Sequence, residues 1–311
     1  MNPVSDETPG AGYQSPRDPV EILLARQWQH ILGFAVGIRE NFFGIGGNSL
    51  DAARVVDAIR LDFGVKLPVN ALTEHPTVDR LATLLRGEAE RLSGPLVVIE
   101  DGDGIHPPLI LVHPDDGRVE PYCALAHALG EDYAVFGLQS GGLHSAAQPR
   151  RTVPEMAEAY VDAVRAACPA GPYYLGGSGI GAAIAYEMAV RLDDVRLVAA
   201  LDGALLDLPD PGDESLLREP PRPADLPRIL ADWRERGLVP PDTPPEFVAR
   251  ALRVWRANRD ALRDWRPSPY AGPVDVFGRP PLTALGTDAV TRPRACGTDE
   301  DLVSALRERI G

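Results

Sequence analysis

Lysine is almost missing from this 311-residue chain: Lys66 is the one lysine among 31 basic residues. Against them stand 45 acidic residues, for a formal net charge of -14. Residues 1–92 hold 9 basic and 12 acidic residues, so most of the excess lies beyond them. A chain this acidic argues against a nucleic-acid partner, because phosphate backbones attract basic patches. Long apolar runs are absent as well, and none reaches the length of a membrane span. The three cysteines, Cys123, Cys168 and Cys296, are far apart and odd in number, which fits a reducing cytoplasm better than a disulfide framework. Residues 1–17 lack the basic and apolar regions of a secretion signal and read as a short disordered lead. Histidine is scarce and one-sided: His30, His75, His106, His113, His127 and His144 are all there is.

What is present divides at a short "SGP" break after Leu92. Before it, "DPVEILLARQWQHILG" has a capping Asp18, Pro19 at the first helical position, helical spacing of Ile22, Leu23, Trp28, Ile31 and Leu32, and a closing Gly33. A long loop ends in "NFFGIGGNSL", and a second helix runs on from Ser49 with Leu50, Ala53, Val56 and Ile59 or Arg60 on successive turns. "PVNALTEHP" and a helix from Thr77 complete a predicted four-helix bundle over 18–92. At the loop-to-helix junction Gly46 and Gly47 leave the backbone approachable. Ser49 stands at a helix N-terminus, where N–H groups and the dipole favour a phosphate on its hydroxyl, although a serine there also serves as a plain cap.

The motif "FFGIGGNSL" resembles the attachment site of peptidyl carrier proteins from nonribosomal peptide synthetases, with Phe42, Phe43, Gly46, Gly47, Ser49 and Leu50 matching. The resemblance implies a 4′-phosphopantetheine arm on Ser49 whose thiol holds an acyl or aminoacyl group. It further implies a phosphopantetheinyl transferase, an adenylation or other loading enzyme, and a tailoring or condensation enzyme as partners. Leu50, Ala53 and Val56 are then candidates for the docking face of the second helix, unless they pack the bundle.

Beyond residue 93 strands alternate with amphipathic helices, the pattern of a mostly parallel sheet covered on both faces. "PLVVIE" and "PPLILVHP", joined by Asp-Gly turn residues, read as a hairpin. A Pro-rich interruption from about 207 with two following helices predicts an inserted lid over about 207–265. The order of "PPLILVHP", "VFGLQSGGL", "YYLGG" and "ALDGALLDLP" resembles the type I thioesterase domains that end nonribosomal peptide synthetases, over about 94–311. The fold class expected is therefore multidomain, a helical carrier bundle followed by an α/β-hydrolase-like domain.

Such hydrolases need a serine nucleophile on a sharp strand-to-helix turn, an acid and a histidine, in that chain order. Where the family reads G-G-W-S-x-G-G, this chain has Gly176, Gly177, Ser178, Gly179, Ile180, Gly181 and Ala182. Gly179 thus takes the nucleophile's position and Ser178 the tryptophan's, one residue early and turned to the other face. Asp202 matches the triad acid. No histidine follows residue 144, and "RACGTDEDL", with Gly297, Thr298 and Asp299, stands where the histidine turn should be. Asp115 and Asp116 follow His113-Pro114 where small residues are favoured, and carboxylates disfavour a developing oxyanion. The expectation is a phosphopantetheine-dependent carrier with a non-catalytic thioesterase-like scaffold. The alternative is an active thioesterase using Ser178 with Asp202, or with Asp115 or Asp299 as base.

Overall fold

The computed structural model describes residues 13–68, 70–86, 94–144, 147–201, 221–278, 290–294 and 298–311. The chain falls into two compact units, Met1–Leu92 and Ser93–Gly311.

In the first unit, α1 (Pro19–Leu32) starts from Asp18, whose side chain accepts from the Glu21 N–H, and ends at Gly33. α2 (Ser49–Phe63) and the short α3 (Ala71–Glu74) and α4 (Val78–Thr83) follow. Trp28, Phe42, Val55, Ile59, Phe63, Leu72 and Leu81 are fully buried together. Each such side chain contributes about 1.5–3 kcal/mol through burial. Thr77 sits at the N-cap of α4 without capping it, since its hydroxyl donates to Asp79 instead. A buried ionic cluster ties the ends of the bundle. Glu21, with no exposure, accepts from Arg17 and Arg86, and Arg86 also reaches Asp18.

The second unit is a seven-stranded sheet in the order β1-β3-β2-β4-β5-β6-β7. The strands are β1 (Leu96–Glu100), β2 (Leu109–Val112), β3 (Val135–Leu138), β4 (Tyr173–Ser178), β5 (Val195–Leu201), β6 (Pro273–Phe277) and β7 (Val290–Arg294). β1 is antiparallel to β3, and every other pairing is parallel. The expected β1–β2 hairpin therefore does not form. β2 is buried along its whole length between β3 and β4, as a parallel central strand requires, and β1 crosses to the edge.

The helices are α5 (Cys123–Leu129), α6 (Val153–Ala167), α7 (Ile180–Ala189), α8 (Leu226–Glu235), α9 (Pro245–Asp264) and α10 (Asp299–Ile310). α6 and α7 pack on the face that carries Ile110, Val112, Leu175, Val198 and Val274. The next residue, Asp275, faces the other side, where Arg309 of α10 donates to it at 2.7 Å. Arg307 of α10 donates to the carbonyls of Ala128 and Leu129 at the end of α5. α8 and α9 form their own apolar cluster around Trp233, Phe247, Val248 and Leu252, in the region expected as a lid. Positions 207–220 of that expected lid lie outside the described residues.

Candidate functional site

In the first unit the sequence 41–50 folds as a tight loop on the Phe42 ring. Phe42 is fully buried, edge-on to Trp28 at 4.7 Å between ring centres, while Phe43 stays 39% exposed. Gly46 has φ +111°, a left-handed conformation that favours glycine. Gly47 is needed for space rather than angle, because a Cβ there would stand 2.5 Å from the Phe42 ring. This packing, rather than approach by an outside enzyme, is what Gly47 serves.

The helix cap is Asn48, not Ser49. Asn48 Oδ1 accepts from the N–H groups of Leu50 (2.8 Å) and Asp51 (3.2 Å), and Asp51 Oδ2 accepts from the Asn48 N–H at 3.3 Å. This reciprocal capping box releases Ser49 from the role that a serine at a helix start usually plays. Ser49 is exposed, in the first turn of α2, and its hydroxyl has no hydrogen-bond partner among the described residues. Two of the N–H groups expected to meet a phosphate are already taken by Asn48, so the helix dipole is what remains to favour one. Leu50 beside it is 64% exposed. A 4′-phosphopantetheine group fits here: the hydroxyl is free, the surroundings are open, and nothing must unfold to expose it.

In the second unit, β4 delivers the chain into α7 through Gly179, with φ +57° and ψ -124°. Gly177 and Gly181 let the helix start close against the strand. A Cβ on Gly177 would meet the Gly181 backbone at 2.5 Å, and one on Gly181 would strike the Val112 carbonyl. The turn is braced from below by Tyr122, whose hydroxyl accepts from the Ser178 N–H (3.1 Å) and donates to the Val112 carbonyl (2.7 Å). Ser178 is 2% exposed, the last residue of β4.

Asp115 occupies the space above Gly179. A Cβ on Gly179 would stand 2.5 Å from Asp115 Oδ1 and 3.4 Å from Oδ2. Oδ1 also accepts from the Ile180 N–H at 2.9 Å. In hydrolases of this fold the N–H of the residue after the nucleophile stabilises the oxyanion. Here a carboxylate of the chain itself already holds that donor. Burial pushes the Asp115 carboxyl above its usual range, and neighbouring Asp116 adds to this, while the Ile180 N–H and the Arg259 charge oppose it.

Asp116 is otherwise disposed, paired with the half-buried Arg118 at 2.8 Å, and Arg118 donates onward to the Leu238 carbonyl at 2.6 Å. Asn258 of α9 donates to the Asp115 carbonyl at 3.0 Å, so the helical insertion is tied directly to this loop.

His113 is fully buried. Its Nδ1–H donates to the Pro114 carbonyl at 2.8 Å and its Nε2 accepts from the Tyr160 hydroxyl at 2.9 Å. Burial brings its pKa down to about 4, a neutral imidazole held in place. Asp202, the expected triad acid, lies outside the described residues. So does Gly297. Thr298 caps α10, accepting from the Asp301 N–H, and Asp299 is the first residue of that helix. The Ile180–Asp115 bond and the Asn258 tie could not be read from the sequence, because they join residues 65 and 143 positions apart. The paired "DD" after "HP" was the one visible signal.

Comparison with known proteins gives a consistent picture. The family described as Thioesterase domain matches residues 107–292, and Phosphopantetheine attachment site matches residues 23–85. Malpinin synthetase of Mortierella alpina is 34% identical over 285 residues, covering 88% of this chain and 4% of that protein. A dimodular nonribosomal peptide synthase of Bacillus subtilis (strain 168) is 33% identical over 205 residues, covering 64% of this chain and 9% of that protein. The chain thus spans less than a tenth of the length of these two relatives. A solved four-domain nonribosomal peptide synthetase, in its holo form with AMP and glycine, superposes with a TM-score of 0.77 at 25% identity, over 99% of this chain and 27% of that one.

Proposed function

The chain belongs to the thioesterase-domain family and carries a phosphopantetheine-attachment domain ahead of it, and from that premise we propose that Ser49 is the attachment residue and that the thioesterase-like unit does not hydrolyse what the arm carries. The free, exposed hydroxyl of Ser49 beside a helix already capped by Asn48 supports the first part. The arm would supply a thiol that holds an acyl or aminoacyl group as a thioester. The chain's own contribution is to fix Ser49 in the first turn of α2, with the dipole behind it and Leu50 exposed next to it. Leu50 and Ala53 are exposed and available to a modifying enzyme, whereas Val56 and Ile59 pack inward.

The second part rests on Asp115. A site that works by offering donors to a growing negative charge has its Ile180 N–H occupied by a carboxylate, and Gly179 offers no nucleophile. Hydrolysis through Ser178 has no observation in its favour, since Ser178 is buried at the end of β4. Asp115 as a base would have to act through Oδ2 while Oδ1 holds the Ile180 N–H, with no serine at Gly179 to activate, and Asp202 and Asp299 remain only as candidates from the sequence. In this reading the unit is a scaffold for a loaded carrier.

No described helix is long and apolar enough to cross a membrane. We place the protein in the cytoplasm, in keeping with Cys123 and Cys168 standing outside any disulfide. A phosphopantetheinyl transferase, a loading enzyme of the adenylating kind, and a tailoring or condensation enzyme are the partners this role calls for. The test is intact-mass analysis of the purified chain after incubation with a transferase and coenzyme A. One phosphopantetheine is gained by the wild type and none by Ser49→Ala. No gain in the wild type overturns the carrier reading.

A further inference from the structure

We propose that the glycine turn is a recognition site for a primary ammonium group, the free amine of an aminoacyl thioester, with the Asp115 carboxylate as its counter-ion. The inference rests on the reading of this turn as non-hydrolytic and names the class of cargo that it suits.

The hydrogen-bonding sense of the site is inverted. A hydrolytic turn presents donors; this one presents acceptors. Its Ile180 N–H is consumed by Asp115 Oδ1, while Asp115 Oδ2 has no hydrogen-bond partner among the described residues. A second acceptor abuts the same loop. Asn258 is completely buried; its amide nitrogen holds the Asp115 carbonyl, and its Oδ1 has no hydrogen-bond partner. The charge is also uncompensated. Arg118 neutralises Asp116, but Asp115 forms no ion pair among the described residues, and Arg259, a cation that acts on it through space, is exposed.

A half-buried carboxylate with no cationic partner, on a loop held by a buried residue whose own amide oxygen is orphaned, is a costly arrangement in isolation. An ammonium carries one positive charge and three donors, and supplies the charge and the donor that Asp115 Oδ2 lacks. A divalent metal ion asks for more oxygens than one carboxylate offers. In an aminoacyl thioester the ammonium lies two bonds from the carbonyl carbon. Pairing it with Asp115 therefore brings the carboxylate to the amine and not into attack on the carbonyl.

The experiment is calorimetric titration of the whole chain with three probes: the alanyl amide of aminopantetheine, its N-acetylated counterpart, and methylammonium. The free-amine probe binds about tenfold or more tighter than the acetylated one. Asp115→Asn abolishes that preference, and Arg259→Ala, which removes a competing exposed cation without touching the core, enlarges it. Equal affinity for the free and acetylated probes overturns the proposal, as does a preference unchanged in Arg259→Ala. Methylammonium binding as tightly as the alanyl probe overturns the assignment to an aminoacyl group. Ser49 loading, measured by mass on the same samples, is independent of Asp115. No amine preference in the wild type with intact loading defeats this inference alone, and failed loading defeats the carrier reading alone.

Discussion

At the scale of single residues, the turn at Gly179 decides what chemistry is open. The substitution Gly179→Ser places a side chain at φ +57°, ψ -124° and its Cβ 2.5 Å from Asp115 Oδ1. The expected outcome is destabilisation of about 1–3 kcal/mol by urea unfolding, with no gain in thioester hydrolysis. Combining it with Asp115→Ala recovers part of the loss, because the two changes share one contact. This contact is also why a glycine is tolerated there. The residue that fills the nucleophile's space comes from another loop.

His113 makes a second prediction at this scale. Its folded pKa, about 4, lies below the unfolded value of about 6.5. Its contribution is therefore complete above pH 6.5 and is lost as pH falls toward 4, when the unfolded chain takes up the proton first. The loss amounts to as much as ~3 kcal/mol. Asp115 works in the opposite sense. Its raised pKa means that the folded state is protonated first, so stability is regained as pH falls through that range toward the normal carboxyl value. Denaturant unfolding from pH 7 to 4 should show a fall that is steeper in Asp115→Asn and shallower in His113→Gln.

At the scale of elements, the loop-to-helix junction of the first unit is a device for presenting one hydroxyl. Asn48→Ala removes the cap and costs about 1 kcal/mol. Gly47→Ala drives a methyl into the Phe42 ring and costs about 1–3 kcal/mol. Both should slow loading of Ser49 by a transferase, through a loosened helix start rather than loss of the hydroxyl. Thermal melts run beside the loading assay check this.

Elements also show where the sequence was legible. Helix starts at Pro19 and Val153, the strand at Tyr173–Ser178 and its helix announce themselves through caps, prolines and glycines, which are local signals. Asp-Gly turns look alike whether the next strand pairs beside the last or far from it, so they point to a β1–β2 hairpin where β1 in fact pairs with β3. Pairing is a long-range choice. The fully buried face of α2, with Ala52, Val55, Ile59 and Phe63, shares Ile59 with the expected one, and Val56 packs partly against it. Leu50 was counted as part of the apolar repeat, but it precedes the packed stripe and faces solvent. The Asn48 cap was equally visible in "GGNSL", but serine next to it is just as good a cap, and only geometry separates the two.

At the scale of the molecule, the proposed function joins in one chain a carrier unit, with the free hydroxyl of Ser49, and a thioesterase-family unit whose Gly179 turn is occupied by the chain's own carboxylate. The six histidines, none beyond residue 144, were the sequence's clearest notice of this. The occupied Ile180 N–H is its structural counterpart. The account stands on retention of cargo, and one time course measures it. The chain is loaded at Ser49 with an acyl-phosphopantetheine, and its intact mass is followed beside free acyl-pantetheine in the same buffer at neutral pH. The acyl mass should persist on the protein at least as long as the free thioester survives. Its loss from the protein many times faster than from the free thioester would contradict the account.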